Sequence, residues 1–186
     1  MNILILGDIM GSSGREALKS NLINIIQSNK IDFTVVNGEN AANSGKGINK
    51  EIVKELFDLG VDVITSGNHI WDQKGTTELI SQEKRLLRPL NLADGSPGNG
   101  YGLYQSKNKK FKIAVINLMG NVFMKKTEDV FNAAKKMQEK IKLKKDSDFI
   151  IVDFHGETTS EKMAMGHFFD GKATALVGTH THIPTA

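Results

Sequence analysis

Short apolar runs alternate with longer amphipathic segments along most of this chain. The runs have the length and the β-branched content of buried strands, and they lie near residues 3–6, 33–36, 61–65, 149–154 and 173–177. The segments between them place apolar residues at helical spacing, which predicts helices near residues 16–27, 50–59, 127–142 and 160–167. Alternation of this kind is typical of βαβ crossovers, so we expect an α/β fold with a largely parallel sheet flanked by helices.

The middle of the chain departs from this alternation. Residues 101–105 and 111–118 are predicted to pair as a hairpin across the polar segment 107–109. Asn49 precedes a helical pattern and is predicted to be its N-cap. No linker-like stretch or internal repeat divides the sequence, so we expect residues 1–186 to form a single domain.

Polar side chains that commonly bind metals follow the predicted strands at their carboxyl ends. They are Asp8, Glu39, Asn40, Asn68, His69, His155, His180 and His182. The carboxyl ends of parallel strands meet at one edge of a sheet, where ligands collect, so these side chains are expected to converge. Residues two apart in extended backbone point the same way, so His180 and His182 are expected to reach one site together.

These donors are carboxylate, amide and imidazole groups, and the chain contains no cysteine. Such a set suits manganese, iron or zinc better than calcium. It is large enough for two cations, with Glu39 as the expected bridge, and a pair of metals can assist in-line attack on phosphorus. Each residue alone has an ordinary structural explanation, such as a helix cap for Asp8 or a hydrogen-bonded core position for His155. Their repetition at five strand ends favours the metal site, and His167 lies outside that pattern.

The composition and charge of the chain limit the classes of protein to which it can belong. The chain has 186 residues, 39% of them hydrophobic and 24% charged, as in a globular protein, and its apolar runs are too short to span a membrane. Its amino terminus lacks a basic leader, so we expect a cytoplasmic protein without disulfides. The net charge of +3 arises partly from basic segments 107–110 and 135–145, which lack the interleaved aromatic residues of a nucleic-acid surface. Gly7, Gly11 and Gly14 do not match a dinucleotide-binding or P-loop motif.

The candidate residues also carry a family resemblance. The motifs Gly7-Asp8, Asn37-Gly38-Glu39-Asn40, Gly67-Asn68-His69, Asp153-Phe154-His155-Gly156-Glu157 and Gly178-Thr179-His180-Thr181-His182 resemble the ordered blocks of the calcineurin-like metallophosphoesterases. They look most like the bacterial YmdB-type phosphodiesterase branch. Met10 replaces the histidine of the usual Asp-x-His block, and Gly-Glu-Asn replaces Gly-Asp in the second block, as in that branch.

This resemblance implies the layered metallophosphoesterase fold and a dinuclear site of iron or manganese, with zinc as a further option. It implies one metal bound by Asp8, Glu39, Asn40 and His182, and another bound by Glu39, Asn68, His155 and His180. It implies that His69 donates a proton to the leaving oxygen. Family members generally continue for several dozen residues beyond the last histidine motif, so the chain is expected to lack a C-terminal portion or one wall of the site.

The hypothesis from sequence is therefore hydrolysis of phosphodiesters, with 2′,3′-cyclic nucleotides as the substrate class that the resemblance implies. A water or hydroxide activated by two metals would attack phosphorus. The main alternative is a metal-containing regulatory protein that binds nucleotides or RNA with little or no turnover. A second alternative is a metal-dependent hydrolase of another bond, such as an amide. The expected partner is a small phosphodiester or nucleotide rather than a membrane; an RNA-related substrate and a homo-oligomer are left open.

Overall fold

The computed structural model of the protein describes residues 1–184. In chain order, its elements are β1 (Ile3–Leu6), α1 (Gly11–Ser28), β2 (Phe33–Asn37), α2 (Lys50–Asp58), β3 (Val63–Thr65), α3 (Thr76–Gln82), β4 (Tyr101–Gln105), β5 (Lys112–Met119), α4 (Val130–Lys140), β6 (Phe149–His155), α5 (Thr159–Phe169) and β7 (Ala175–Thr179). No helix within the described residues has the length and apolar character needed to cross a membrane.

The strands form two sheets rather than one. The first sheet has the order β1-β2-β3 and is entirely parallel. The second has the order β4-β5-β6-β7, in which β4 and β5 form the predicted antiparallel hairpin and the other pairs are parallel. The predicted α/β class with largely parallel sheets and flanking helices is confirmed, whereas the simplest expectation, that all strands share one sheet, is wrong.

Burial on both faces of each sheet explains this division. Alternate residues of β2 point in opposite directions, so Phe33 and Val35 pack between the sheets while Val36 packs against helices. The core between the sheets also receives Val115 and Ile151 from the second sheet. Helices α1, α2 and α3 cover the outer face of the first sheet, and α4 and α5 cover that of the second. The result is a helix–sheet–sheet–helix arrangement in which strands buried on both faces are mainly apolar.

Local sequence explains several element boundaries. Asn49 caps α2 as predicted, because its side-chain oxygen accepts a hydrogen bond from Ile52 N at 3.0 Å. Helix α1 begins at Gly11, five residues earlier than predicted, where glycine adopts a positive φ of 57°. Helix α3 was not predicted, because seven residues are too few to display a helical repeat.

Helix α1 offers a matched test of the packing. Leu22 is fully buried against the first sheet, whereas its neighbour Ile23 is 45% exposed. We expect Leu22→Ala to lower the free energy of unfolding by about 2–5 kcal/mol, because it leaves a cavity among well-packed side chains. Ile23→Ala should lower it by less than about 1 kcal/mol. Urea denaturation followed by circular dichroism measures both changes, and equal losses would contradict the packing described here.

Candidate metal centre

A cluster of one carboxylate and two imidazoles lies where the two sheets meet at the carboxyl ends of their strands. Glu39 follows β2, His155 is the last residue of β6, and His180 follows β7. One ligand atom from each of the three lies within 4.8 Å of the others, with Glu39 Oε1 2.9 Å and His180 Nδ1 3.2 Å from His155 Nε2. Glu39 and His155 are fully buried and His180 is half-buried. Three groups with free electron pairs therefore face one another away from bulk water.

Asp8 connects this cluster to His182. Its Oδ2 accepts a hydrogen bond from His180 N at 2.7 Å and lies 3.7 Å from His182 Nε2. Its Oδ1 lies 3.8 Å from His155 Nδ1. Residues separated by more than 140 positions in the chain thus meet at one place, as the placement of polar residues at strand ends predicts.

The two histidines reach the site by a different route from the one predicted. Strand β7 ends at Thr179, so His180 and His182 lie beyond it and not in extended backbone. Their φ angles are +93° and +57°, which L-residues rarely adopt. The prediction that strand alternation points both side chains the same way is therefore wrong. A turn with left-handed backbone at both residues aims them instead.

Two buried oxygen atoms at this site have no hydrogen-bond partner among the described residues, namely Asp8 Oδ1 and Asn40 Oδ1. The amide nitrogen of Asn40 donates to Gly45 O at 2.8 Å, and its main-chain oxygen accepts from Gly11 N, which fixes the side chain near the turn that carries Asp8. A buried polar atom without a partner is unfavourable unless a cation or water satisfies it. Orphaned oxygens beside buried imidazoles, without any thiol, fit a transition-metal site.

Asn68 and His69 lie on the other side of the cluster. Asn68 Oδ1 is 3.2 Å from His155 Nε2, so it faces the same atom as Glu39 does. The main-chain nitrogen of His69 donates to Glu39 Oε2 at 3.1 Å, while its side chain points away and places Nδ1 2.6 Å from Asp72 Oδ2. The His69 side chain is 22% exposed, in contrast to the buried Glu39 and His155. His69 is therefore a partly exposed imidazole, about as exposed as His180 at 23%, and its Nδ1 is engaged by Asp72 rather than by the cluster.

Gly67 permits this close approach of the two sheets. A Cβ atom at this position would overlap the imidazole of His155 and Oε2 of Glu39. Any side chain would push apart the two residues that form the centre of the cluster. The glycine of the Gly67-Asn68-His69 motif is thus required by space, since its φ is not in the left-handed region.

A buried carboxylate behind the cluster sets the orientation of His155. Asp153 accepts hydrogen bonds from Asn37 Nδ2 at 2.9 Å, from Thr179 Oγ1 at 2.7 Å and from the hydroxyl of Thr65. Because the Thr179 hydroxyl donates to Asp153, its oxygen is left to accept from His155 Nδ1, 2.9 Å away. His155 thus keeps its Nδ1 proton and directs Nε2 at the cluster, a common arrangement behind metal-binding histidines.

The charges of the cluster are coupled. Burial disfavours the charged form of His155, but the carboxylates of Glu39, Asp8 and Asp153 outweigh it and raise the pKa of His155. Burial likewise disfavours the charged form of Glu39, yet hydrogen bonds from His155 and His69 N lower its pKa. Burial and the charge on His155 lower the pKa of His180. The arrangement favours an ionised Glu39, which is the form that binds metal, and a bound cation would replace the proton it shares with His155.

Sequence reasoning missed three residues that hold the site together. Asp153 could have been found as an acidic residue inside the apolar strand 149–154, where a charge needs a partner. Asp72 follows His69 by three residues, but its spacing alone does not predict the hydrogen bond. Glu157 Oε2 lies 2.8 Å from His180 Nε2, so it leaves His180 Nδ1 to face the cluster.

The fold places this protein in a known structural class. It superimposes on a 5′-nucleotidase from Candida albicans SC5314 with a TM-score of 0.61 over 98% of this chain and 43% of that one, at 13% identity. That similarity shows the fold alone, which is the metallophosphoesterase type. The sequence matches the YmdB-like protein family over residues 4–186, and the chain belongs to that family. The resemblance drawn from the motifs is therefore confirmed.

Two relatives are similar over the whole of this chain. A 2′,3′-cyclic-nucleotide 2′-phosphodiesterase of Bacillus subtilis (strain 168) is 42% identical over 186 residues, which are 100% of this chain and 69% of that protein. The crystal structure of a novel phosphatase from Mycoplasma pneumoniae is 39% identical with a TM-score of 0.88, over 99% of this chain and 65% of that one. The chain thus spans about two thirds of the length of these relatives.

The Asp153 network makes a prediction about metal affinity. In Asp153→Asn, the new amide cannot accept all three hydrogen bonds, so the Thr179 hydroxyl must turn and His155 Nδ1 loses its acceptor. We expect the affinity for Mn²⁺ to fall by roughly 10- to 100-fold. Titration against a chelating indicator measures it, on protein shown to be folded by circular dichroism. Asp58→Asn, at an exposed position in α2, is the matched control. An unchanged affinity in the folded variant would show that Asp153 does not act on the site.

Proposed function

We propose that this chain carries the site of a metal-dependent phosphodiesterase that hydrolyses 2′,3′-cyclic nucleotides. The observation that carries this proposal is the pairing of two elements: a buried Glu39–His155–His180 cluster, and an accessible imidazole held by a carboxylate beside it. A cation site next to a group that can donate a proton is what phosphodiester hydrolysis requires. The hydrolase names of the two relatives, and the substrate in the first name, agree with this choice.

We assign the metal ligands as the family resemblance implies. One cation would be held by Asp8, Glu39, Asn40 and His182, and the other by Glu39, Asn68, His155 and His180, with Glu39 shared. The unpartnered Asp8 Oδ1 and Asn40 Oδ1 support the first set, since each is a buried oxygen without a hydrogen-bond donor among the described residues. The approach of Asn68 Oδ1, Glu39 Oε1 and His180 Nδ1 to His155 Nε2 supports the second. Oxygen and imidazole donors suit iron or manganese, with zinc as the alternative.

The metal-binding side chains and His69 have separate roles in the proposed reaction. Cations held in the cluster would supply positive charge for the phosphoryl oxygens and make the attacking water more acidic. As the water oxygen bonds to phosphorus, the P–O2′ bond breaks and O2′ needs a proton. His69 donates that proton from Nε2, because Nδ1 is engaged by Asp72 at 2.6 Å. Asp72 is a positioning residue that holds His69 through Nδ1, and burial raises the pKa of Asp72 less than His69 and Lys125 lower it.

The position of the proton donor indicates where the leaving oxygen must lie. Glu39 and His155 are buried, whereas the side chains of His69, His180 and His182 are 22%, 23% and 38% exposed. A cavity of about 770 Å³ touches the site only at Asp8 and His182 and is otherwise lined largely by the β1–α1 region and the end of the described chain. The leaving oxygen must approach His69, so we place the nucleoside on the His69 side of the cluster rather than in this cavity.

Substitution of the proton donor tests this proposal. We expect His69→Ala in the full-length protein to lower kcat for 2′,3′-cyclic AMP by roughly 10²- to 10⁴-fold while metal content stays constant. The assay follows 3′-AMP formation by chromatography with added Mn²⁺, beside metal analysis by mass spectrometry. His167→Ala, an exposed histidine outside the site, is the matched control and should retain activity. Native turnover in His69→Ala would refute the assignment, and tight binding without turnover in the unaltered protein would favour a regulatory role.

Substitution of Glu39, the proposed shared ligand, should lower metal content, in contrast to substitution of His69. We expect Glu39→Gln to lose both metal and activity, because the neutral amide cannot bridge two cations and cannot stabilise charge on His155. Metal analysis of protein purified without chelator measures this directly, with Glu51→Gln on exposed α2 as the control. Full metal content in a folded Glu39→Gln protein would exclude Glu39 as the bridge.

A further inference from the structure

One aromatic side chain beside the site is almost entirely exposed. Phe123, in the loop between β5 and α4, is 86% exposed, the highest value for a large hydrophobic residue within residues 1–184. Its φ of +61° is one that a bulky L-residue rarely adopts. An exposed phenylalanine with a strained backbone contributes little to packing or stability. Its position is therefore better explained by a contact with a ligand.

The loop that carries Phe123 is fastened to the site at both ends. Gly120 N donates to the main-chain oxygen of His155 at 2.9 Å. Five residues later, Lys125 Nζ donates to the main-chain oxygen of Asn68 at 2.8 Å. Phe123 therefore lies in a short bridge, residues 120–125, which is attached to His155 by its main chain at one end and to Asn68 by the Lys125 side chain at the other.

The bridge is also held between its ends. The main-chain nitrogens of Asn121 and Val122 both donate to the Glu161 carboxylate, at 2.9 and 3.0 Å. The Asn121 side chain donates to Thr127 Oγ1 at 2.8 Å, which ties together the start and the end of the loop. These bonds fix the backbone on the side that precedes Phe123 and leave its ring free. An anchored loop that presents one uncovered ring is suited to stacking against a flat partner.

The chemistry of the proposed substrate places a flat group on this side. In a nucleoside 2′,3′-cyclic phosphate the base is attached to C1′, which is bonded to C2′, the carbon that carries the leaving O2′. The base therefore lies within a few bonds of the oxygen that His69 protonates. Asn68 adjoins His69, and Lys125 reaches Asn68 O through its side chain, so the loop that carries Phe123 lies on the His69 side of the cluster, where the base would be.

We propose that Phe123 is the stacking platform for the nucleobase of the substrate, an inference that rests on the proposed phosphodiesterase function. Every base has a π-face, so stacking favours nucleotides over other cyclic phosphodiesters without selecting strongly among bases. The bridge contributes to binding of the nucleoside, while the cluster and His69 act on phosphorus. Trp71 also follows His69 closely but is only 36% exposed, so more of it is committed to packing.

A comparison of two cyclic phosphodiesters tests this platform in the full-length protein. In Phe123→Ala we expect KM for 2′,3′-cyclic AMP to rise by roughly 5- to 100-fold with kcat little changed, the range that stacking on one aromatic ring provides. KM and kcat for glycerol 1,2-cyclic phosphate, which has no base, should not change. Phe123→Trp should restore KM, and Met163→Ala, an exposed apolar residue on α5, is the control.

The outcomes separate this inference from the function on which it rests. Unchanged KM for 2′,3′-cyclic AMP in Phe123→Ala, or an equal rise for both substrates, would overturn the platform and leave the phosphodiesterase intact. If the unaltered protein hydrolyses neither substrate, the proposed function fails, and calorimetric titration still tests the platform. In that case Phe123→Ala should weaken binding of 3′-AMP but not of inorganic phosphate, and equal binding of 3′-AMP by both proteins would overturn it.

Discussion

The buried carboxylate of Asp153 is the constraint on which the arrangement of this site depends. Burial raises its pKa, while hydrogen bonds from Thr65, Thr179 and Asn37 oppose that rise. Two of these donors belong to the first sheet, and Asp153 itself belongs to the second. A charge buried between two sheets is costly unless it is hydrogen-bonded. Because both sheets supply donors to Asp153, these hydrogen bonds align the carboxyl ends of the two sheets. The Asn37 side chain extends this network to Glu39, because its Oδ1 accepts a hydrogen bond from Glu39 N at 3.1 Å.

That alignment of the two sheets brings several charged and polar side chains close together. Glu39, His155 and His180 approach one another closely, the missing side chain at Gly67 leaves room for Glu39 and His155, and two oxygens nearby have no partner among the described residues. Glu39 and His155 favour each other's charged form, since the pKa of Glu39 is lowered and that of His155 is raised. The surrounding fold maintains this geometry at a cost in stability, which is common where side chains are arranged for chemistry instead of packing.

Much of this could be predicted from the chain alone, because periodicity and strand ends are local properties. The apolar run at 33–36 predicted β2, and the polar residues after it predicted where Glu39 would lie. Helix α3 was missed because it is too short for a helical repeat to be recognised. The domain extent and the cytoplasmic location stay predictions.

The sequence by itself determined the fold class and the polar residues at the strand ends, which follow from spacing along the chain, and its motifs indicated the family by their resemblance. Only the tertiary structure decided that the strands divide into two sheets, that a left-handed turn aims His180 and His182, and that Lys125 of the Phe123 loop contacts Asn68. The physical reason is that periodicity reports which face of an element is buried. The partner that buries it, and the distances across the interface, depend on contacts between residues far apart in the chain.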